Sequence, residues 1–249
     1  MSVNCKLLLA TAIAALPLFY GCEKDEEKPS DAEEKGFVKG QVYDTKGNPL
    51  SQVEIVIDNT YLPNSYIQSV TDDQGKYSVS LSFGAWMAYA ILHKTYNNKE
   101  YDLYLDSDTP EGFTQEGGVR NFHWKLSGAR KAPLTGNYGG TILLTRAVGS
   151  SLFDSENIEY TLTPDGPLID GSQGAVIVIH EVANTYKLPD IPIGRYTITA
   201  VYKAPGGGSE PVMLKNRYAG GAFSSGITVN FEPSSEDGNN MASIEYKEQ

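Results

Sequence analysis

The stretch Thr71–Leu81, TDDQGKYSVSL, decides how the rest of the chain is read. Asp72-Asp73-Gln74-Gly75 has the composition of a tight turn. After it, Tyr77, Val79 and Leu81 fall on one side of an extended chain, and Lys76, Ser78 and Ser80 on the other. Period-two alternation entered from an Asp/Gly turn is the pattern of a strand with one face in a core. The same residue types recur at Gly194-Arg195-Tyr196-Thr197-Ile198-Thr199. Two copies of one strand signature predict two domains of similar build.

Working outward from Thr71, Val38, Gly40 and Val42 alternate with Lys39, Gln41 and Tyr43, and Val53, Ile55 and Ile57 form a second inward row. Between them, Asp44-Thr45-Lys46-Gly47-Asn48-Pro49 reads as a turn, because Gly47 tolerates positive φ and Pro49 bars strand continuation. Ser65–Thr71 leads into the opening stretch. Ala85–His93 is apolar on both faces, as a covered strand would be. Tyr101-Leu103-Leu105 and Phe122-Trp124-Leu126 follow. Strands at this spacing predict a small β-sandwich. The residues Gly40-x-Val42-x-Asp44-x-x-Gly47-x-Pro49-Leu50-x-x-Val53-x-Ile55 and Thr71-x-Asp73-x-Gly75-x-Tyr77 resemble the carboxypeptidase regulatory-like domain. That resemblance implies a transthyretin-like (prealbumin-like) sandwich over 36–127. Its motif residues serve turns and core, so it carries no chemistry.

Ser127–Asn137, SGARKAPLTGN, is rich in turn residues and broken by Pro133, which suits a domain junction. Beyond it, short apolar runs at Ile142–Leu144, Ile158–Leu162, Ala175–Val182, Tyr186–Leu188, Tyr196–Tyr202, Val212–Leu214, Ile227–Phe231 and Ile244–Tyr246 predict a second sandwich over 128–249. Lys187–Ala200, KLPDIPIGRYTITA, resembles a prealbumin-type or collagen-adhesin B-type strand pair. The expected fold is therefore all-β, two tandem sandwiches.

The amino-terminal residues read as an address. Lys6 precedes the apolar run Leu7–Tyr20, which is short for a bilayer span and suited to a signal-peptide core. Phe19-Tyr20-Gly21-Cys22 resembles the bacterial lipoprotein box, which implies a signal peptide over 1–21 and lipidation of Cys22. An ordinary secretory signal is the alternative. The only other cysteine is Cys5, inside the signal, so processing would leave a single thiol at the new amino terminus. Residues 22–35 are charged and aperiodic, the composition of a disordered tether with a reach of roughly 20 Å. The run Glu23, Lys24, Asp25, Glu26, Glu27 after Cys22 resembles the acidic surface-export signal of Bacteroidetes lipoproteins. The resemblance implies a lipid-anchored protein of the outer membrane, displayed at the cell surface; a solvated spacer is the plain alternative.

A net charge of −11 argues against nucleic acid as a partner, because phosphate binding needs clustered Lys and Arg. No catalytic constellation is legible. His180-Glu181-Val182-Ala183-Asn184 opens like a zinc-protease helix, but it ends in Asn where a second His is required and lies in a β-branched run. His93 and His123 have no Cys or second His at metal-ligand spacing. No Gly-x-Ser-x-Gly elbow occurs, and no cofactor is expected.

Two features could carry binding. Asp102, Asp106 and Asp108, with Glu111, offer oxygens of the kind calcium takes, although a solvated acidic loop explains them as well. Tyr61, Tyr66, Tyr96 and Tyr104, with Tyr89 and the amides of Asn64, Asn97 and Asn98, would suit a sugar ring, whose C–H face stacks while its hydroxyls bond. The expected function is a non-catalytic accessory lipoprotein of a glycan-uptake system, with a polysaccharide or an outer-membrane protein as partner. The alternatives are an adhesion or protein-docking module and, last, an enzyme.

Overall fold

The structure is a computed structural model that describes residues 34–249. The residues read above as a signal peptide (1–21), Cys22 and the run Glu23–Glu27 read as an export signal lie outside the described residues. Ten strands form in the first half: β1 Phe37–Tyr43, β2 Glu54–Asn59, β3 Tyr66–Val70, β4 Lys76–Ser80, β5 Ala85–Tyr96, β6 Lys99–Tyr104, β7 Asp106–Ser107, β8 Phe113–Thr114, β9 Gly118–Val119 and β10 Phe122–His123. Eight follow: β11 Gly140–Arg146, β12 Ile158–Pro164, β13 Ile177–His180, β14 Lys187–Ile191, β15 Arg195–Lys203, β16 Ser209–Asn216, β17 Gly226–Asn230 and β18 Met241–Glu248. One 3₁₀ turn, Ser155–Asn157, precedes β12. Among the described residues no helix is long and apolar enough to cross a membrane. The described residues are all-β apart from that one 3₁₀ turn, as their alternation predicts.

The first half is two facing sheets. One runs β4-β1-β10-β7 with β9 also on β1, and the other runs β3-β2-β5-β6 with β8 on β5. Val38, Val42, Tyr77, Val79 and Phe122 from the first meet Ile55, Ile57, Trp86, Ala90, Leu92 and Leu103 from the second, all buried in one core. Burying such a side chain contributes about 1.5–3 kcal/mol. The turn before β4 is held by Asp72, whose Oδ1 accepts from the backbone N–H of Gln74 and Lys76. Its neighbour Asp73 is exposed. Buried Thr71 donates its hydroxyl to the Leu50 carbonyl and accepts from the Val53 N–H, which fixes the entry into the turn.

Gly40 marks a crossing. A Cβ there would lie 1.7 Å from the Arg120 carbonyl oxygen, and that same oxygen accepts the Tyr77 hydroxyl at 2.7 Å. The missing side chain lets the segment after β9 run across β1, and Tyr77 clamps it there.

The second half is one hydrogen-bonded sheet in the order β13-β12-β15-β16-β18-β11-β14, with β17 also on β15. β15 divides its outer edge: Arg195–Thr199 pairs with β17 and Ala200–Lys203 with β16. Alternate residues of every long strand are buried, including Tyr160, Leu162, Leu188, Tyr196, Ile198, Leu214, Ile244 and Tyr246. A single sheet can bury one whole face only by folding over itself. The two edge strands, β13 and β14, are consecutive in the chain and joined by residues 181–186, which is possible only if the edges approach each other. The two copies of the strand signature thus occupy different places. β4 is the five-residue edge of its sheet, whereas β15 is nine residues long and interior. Tyr77 bonds a distant carbonyl, whereas Tyr196 donates to Pro192, four residues before it.

Among the described residues no strand of one half pairs with a strand of the other. The halves are joined through side chains, and the described residues form one compact unit. The buried hydroxyl of Tyr101 donates to the Phe231 carbonyl at 2.6 Å. Burial, with Glu232 nearby, pushes that phenol up to about 12. Thr45 donates to Asp170, and Tyr96 donates to the Pro167 carbonyl while accepting the Arg195 N–H. The junction stretch is itself folded: Ala129 and Asn137 form a β-bridge, and Asp190 accepts from the N–H of Gly128 and Gly139. Tyr138, at its end, donates to Asp106.

Candidate functional site

A two-residue turn organises the site. Asn97 and Asn98 both take positive φ, 48° and 60°, the conformation that tightens a hairpin. The turn sets Tyr96 opposite Lys99 and, counting outward, Thr95 opposite Glu100, His93 opposite Asp102 and Ile91 opposite Tyr104. Glu54 of β2 lies opposite Ile91 on the other side. By alternation Thr95, His93 and Ile91, with Glu100, Asp102, Tyr104 and Glu54, stand on the outer face of the β3-β2-β5-β6 sheet, whereas Tyr96 packs against the core.

His93 is held from both sides. Its Nδ1 lies 2.7 Å from Asp102 Oδ1 and its Nε2 lies 2.9 Å from Glu54 Oε2. Both nitrogens can donate only in the imidazolium form. The hydrogen bonds to Asp102 and then Glu54 raise the His93 pKa above its ordinary value. An imidazole engaged in this way is a cross-strand tie, and it becomes a free base only by giving up a carboxylate. The sign of its linkage follows: its contribution is full below about 6.5 and is lost as pH rises through the raised folded value. Because the ring is half exposed, His93→Gln should cost less than about 1 kcal/mol in mildly acid solution and nothing in alkaline solution. Urea unfolding of both proteins across that range checks this, and a cost independent of pH would contradict it.

The outer face forms the floor of a cleft of about 600 Å³. The folded junction contributes Arg130, Thr135 and Asn137, and the segment after β17 contributes Ser234, Asn239 and Asn240. Sequence separation hid this grouping, because its walls are drawn from three distant parts of the chain. Arg130 lies between two rings, 5.8 Å from the centroids of Tyr104 and Tyr138. Its Nε is buried and has no hydrogen-bond partner among the described residues. Among the described residues no carboxylate is within ion-pair distance of it.

The residues singled out from sequence scatter. Only Tyr104 and Asp102 reach the cleft. Tyr61 is 77% exposed on the loop after β2, and Tyr66 is exposed on β3. Tyr96 is engaged in joining the halves, as is Asn97, whose amide donates to Asn230 at 3.2 Å. Asn98 belongs to the turn. The three aspartates face different partners. Asp102 holds His93, while buried Asp106 holds Lys125, Lys131 and Tyr138. Asp108 accepts from the backbone and amide of Asn121. Among the described residues no group of three or more His, Cys, Asp or Glu side chains is arranged to hold a metal ion. His123 stacks on Tyr43 at 5.1 Å, and exposed His180 ends β13 beside Glu159.

A second surface feature is the sheet edge at β13. Among the described residues this strand pairs with β12 alone. Val178 in β13 and Val176 just before it are 58% and 57% exposed, and Ile177–His180 contains no Lys or Pro.

No protein-family model matches the chain, and no curated protein matches it. Among solved structures it is similar to the TIE protein of Bacillus anthracis, at 13% identity and TM-score 0.34. That match covers 86% of this chain and 34% of the other, so the chain spans about a third of that protein. It is similar to a DUF3823 family protein from Bacteroides ovatus at 12% identity and TM-score 0.27, over 79% and 99% of the two chains. It is also similar to the major pilin subunit of Bacillus cereus at 9% identity and TM-score 0.27, over 86% and 99%. Scores this low transfer no function.

Proposed function

We propose that the protein is a non-catalytic adhesion or assembly module of the cell surface, anchored in the outer membrane by a lipid on Cys22, with a protein rather than a nucleic acid as its partner. The observation that carries this reading is the β13 edge. An unpaired strand edge offers backbone N–H and C=O groups to an incoming strand, and proteins that avoid such pairing place Lys or Pro there. Here the edge presents valines instead. The folded junction supports the reading, since two β units tied by buried hydrogen bonds present their surfaces in a fixed relation. The experiment is a pull-down from outer membranes with the wild-type protein and with Val178→Lys. Val178 is exposed, so the substitution should leave stability within about 0.5 kcal/mol. A stable protein partner, lost with Val178→Lys, is expected. Failure to retain any protein, or equal retention by the variant, would overturn the proposal.

The second reading is an accessory binding protein of a glycan-uptake system. The polar cleft over β5 and β6 favours it, being of ligand size and lined by amides, hydroxyls, carboxylates and one tyrosine.

A further inference from the structure

We infer that the cleft is a binding site for an acidic saccharide, a uronate-containing oligosaccharide whose carboxylate sits on Arg130. The inference rests on the glycan reading and specifies its ligand class.

The carboxylates of the floor already have partners. Glu54 and Asp102 share His93, and Glu100 accepts the Thr95 hydroxyl at 2.6 Å. Arg130 is the opposite case. Its guanidinium is positioned by two rings, is buried at Nε, and meets no carboxylate among the described residues, in a chain whose acidic residues outnumber its Lys and Arg by 31 to 20. A guanidinium held in place, with no side-chain hydrogen bond among the described residues, matches the planar geometry of a carboxylate, which it can take with two parallel hydrogen bonds. A ligand carboxylate would supply the anion.

The other walls indicate what else the ligand carries. Thr135, Asn137, Ser234 and Asn239 are neutral groups that both donate and accept, as sugar hydroxyls require. Tyr104 adds an aromatic surface beside Arg130. A volume of about 600 Å³ accommodates a short oligosaccharide rather than a single small anion.

The test is calorimetric titration of the purified full chain with trigalacturonate and, as a neutral control of the same length, galactotriose. Trigalacturonate is expected to bind and to weaken with added salt, as an ion pair open to solvent does. Arg130→Gln should reduce its affinity at least tenfold and Arg130→Lys should restore part of it. Asn239→Ala, which leaves the junction untouched, should weaken binding severalfold and provides an independent reading if Arg130→Gln misfolds. Equal binding of the neutral sugar would overturn the acidic class and leave the glycan reading standing. Absence of binding by either sugar and by a wider glycan panel would remove both. Binding of trigalacturonate unaffected by Arg130→Gln and Asn239→Ala would place the sugar elsewhere and overturn the site.

Discussion

Gly40→Ala should unfold the protein some 10 °C below the wild type, the largest effect of any single methyl group in the first half. The added Cβ would stand 1.7 Å from the Arg120 carbonyl oxygen, a backbone atom with no freedom to rotate away. Relief requires β1 and the crossing segment to separate. That breaks the Tyr77–Arg120 hydrogen bond and the parallel pairing of Val38 and Lys39 with β9. Overpacking of this severity costs about 3–5 kcal/mol, and a domain of this size loses about 2–4 °C per kcal/mol. Gly47→Ala is the control. Gly47 has φ +83° but nothing within 4 Å of a new Cβ, so only the backbone term of about 1 kcal/mol applies. Thermal melts of the two variants should differ severalfold in their shifts. Equal shifts would show that the crossing is not as tight as described.

Asp106→Asn should be the second most damaging change. The Asp106 carboxylate is buried beside the junction, 2.6 Å from Lys125 Nζ and 3.2 Å from Lys131 Nζ, and it accepts the Tyr138 hydroxyl at 2.9 Å. An amide of the same shape cannot balance two ammonium groups. Breaking a fully buried pair costs 3–5 kcal/mol, and because both lysines are nearly half exposed the expectation here is about 2–3 kcal/mol. Burial alone would raise this carboxyl, but the hydrogen bonds from Lys125, Tyr138 and Lys131 outweigh burial and hold it below its usual range. A depressed folded pKa gives stability that is present above about 3.9 and lost as pH falls through the folded value. The gap between wild type and Asp106→Asn should therefore be widest near neutrality and close in acid. A gap that persists unchanged into the acid transition would rule out the ion pairs as its source.

Much of this architecture was legible because period-two alternation is a local property. Tyr77, Val79 and their partners declare β4 without reference to anything distant, and the same holds for β2 and β15. Strands of two residues, such as β7, β8 and β9, offer no alternation to read, and the crossing at Gly40 depends on a segment eighty residues away. The His93–Asp102 tie could have been read, because Asn97–Asn98 is a two-residue turn and the register follows by counting. Arg130 could not: it lay in what composition marks as a linker, and its neighbours Tyr104 and Tyr138 come from a strand and from the far end of that linker. Tyr96 and Asn97 looked like ligand contacts because exposure cannot be told from burial against another part of the chain.

The placement of β18 bears on how such a chain reaches its native state. It lies between β16 and β11 and runs parallel to β11, although it is the last strand in order. Among the described residues, until residues 241–248 are available the β11–β14 pair has no strand pairing to β12, β13, β15, β16 or β17. A polypeptide delivered amino end first, through a pore or from a ribosome, would thus keep this half open and threadable until residues 241–248 arrived to bridge β16 and β11.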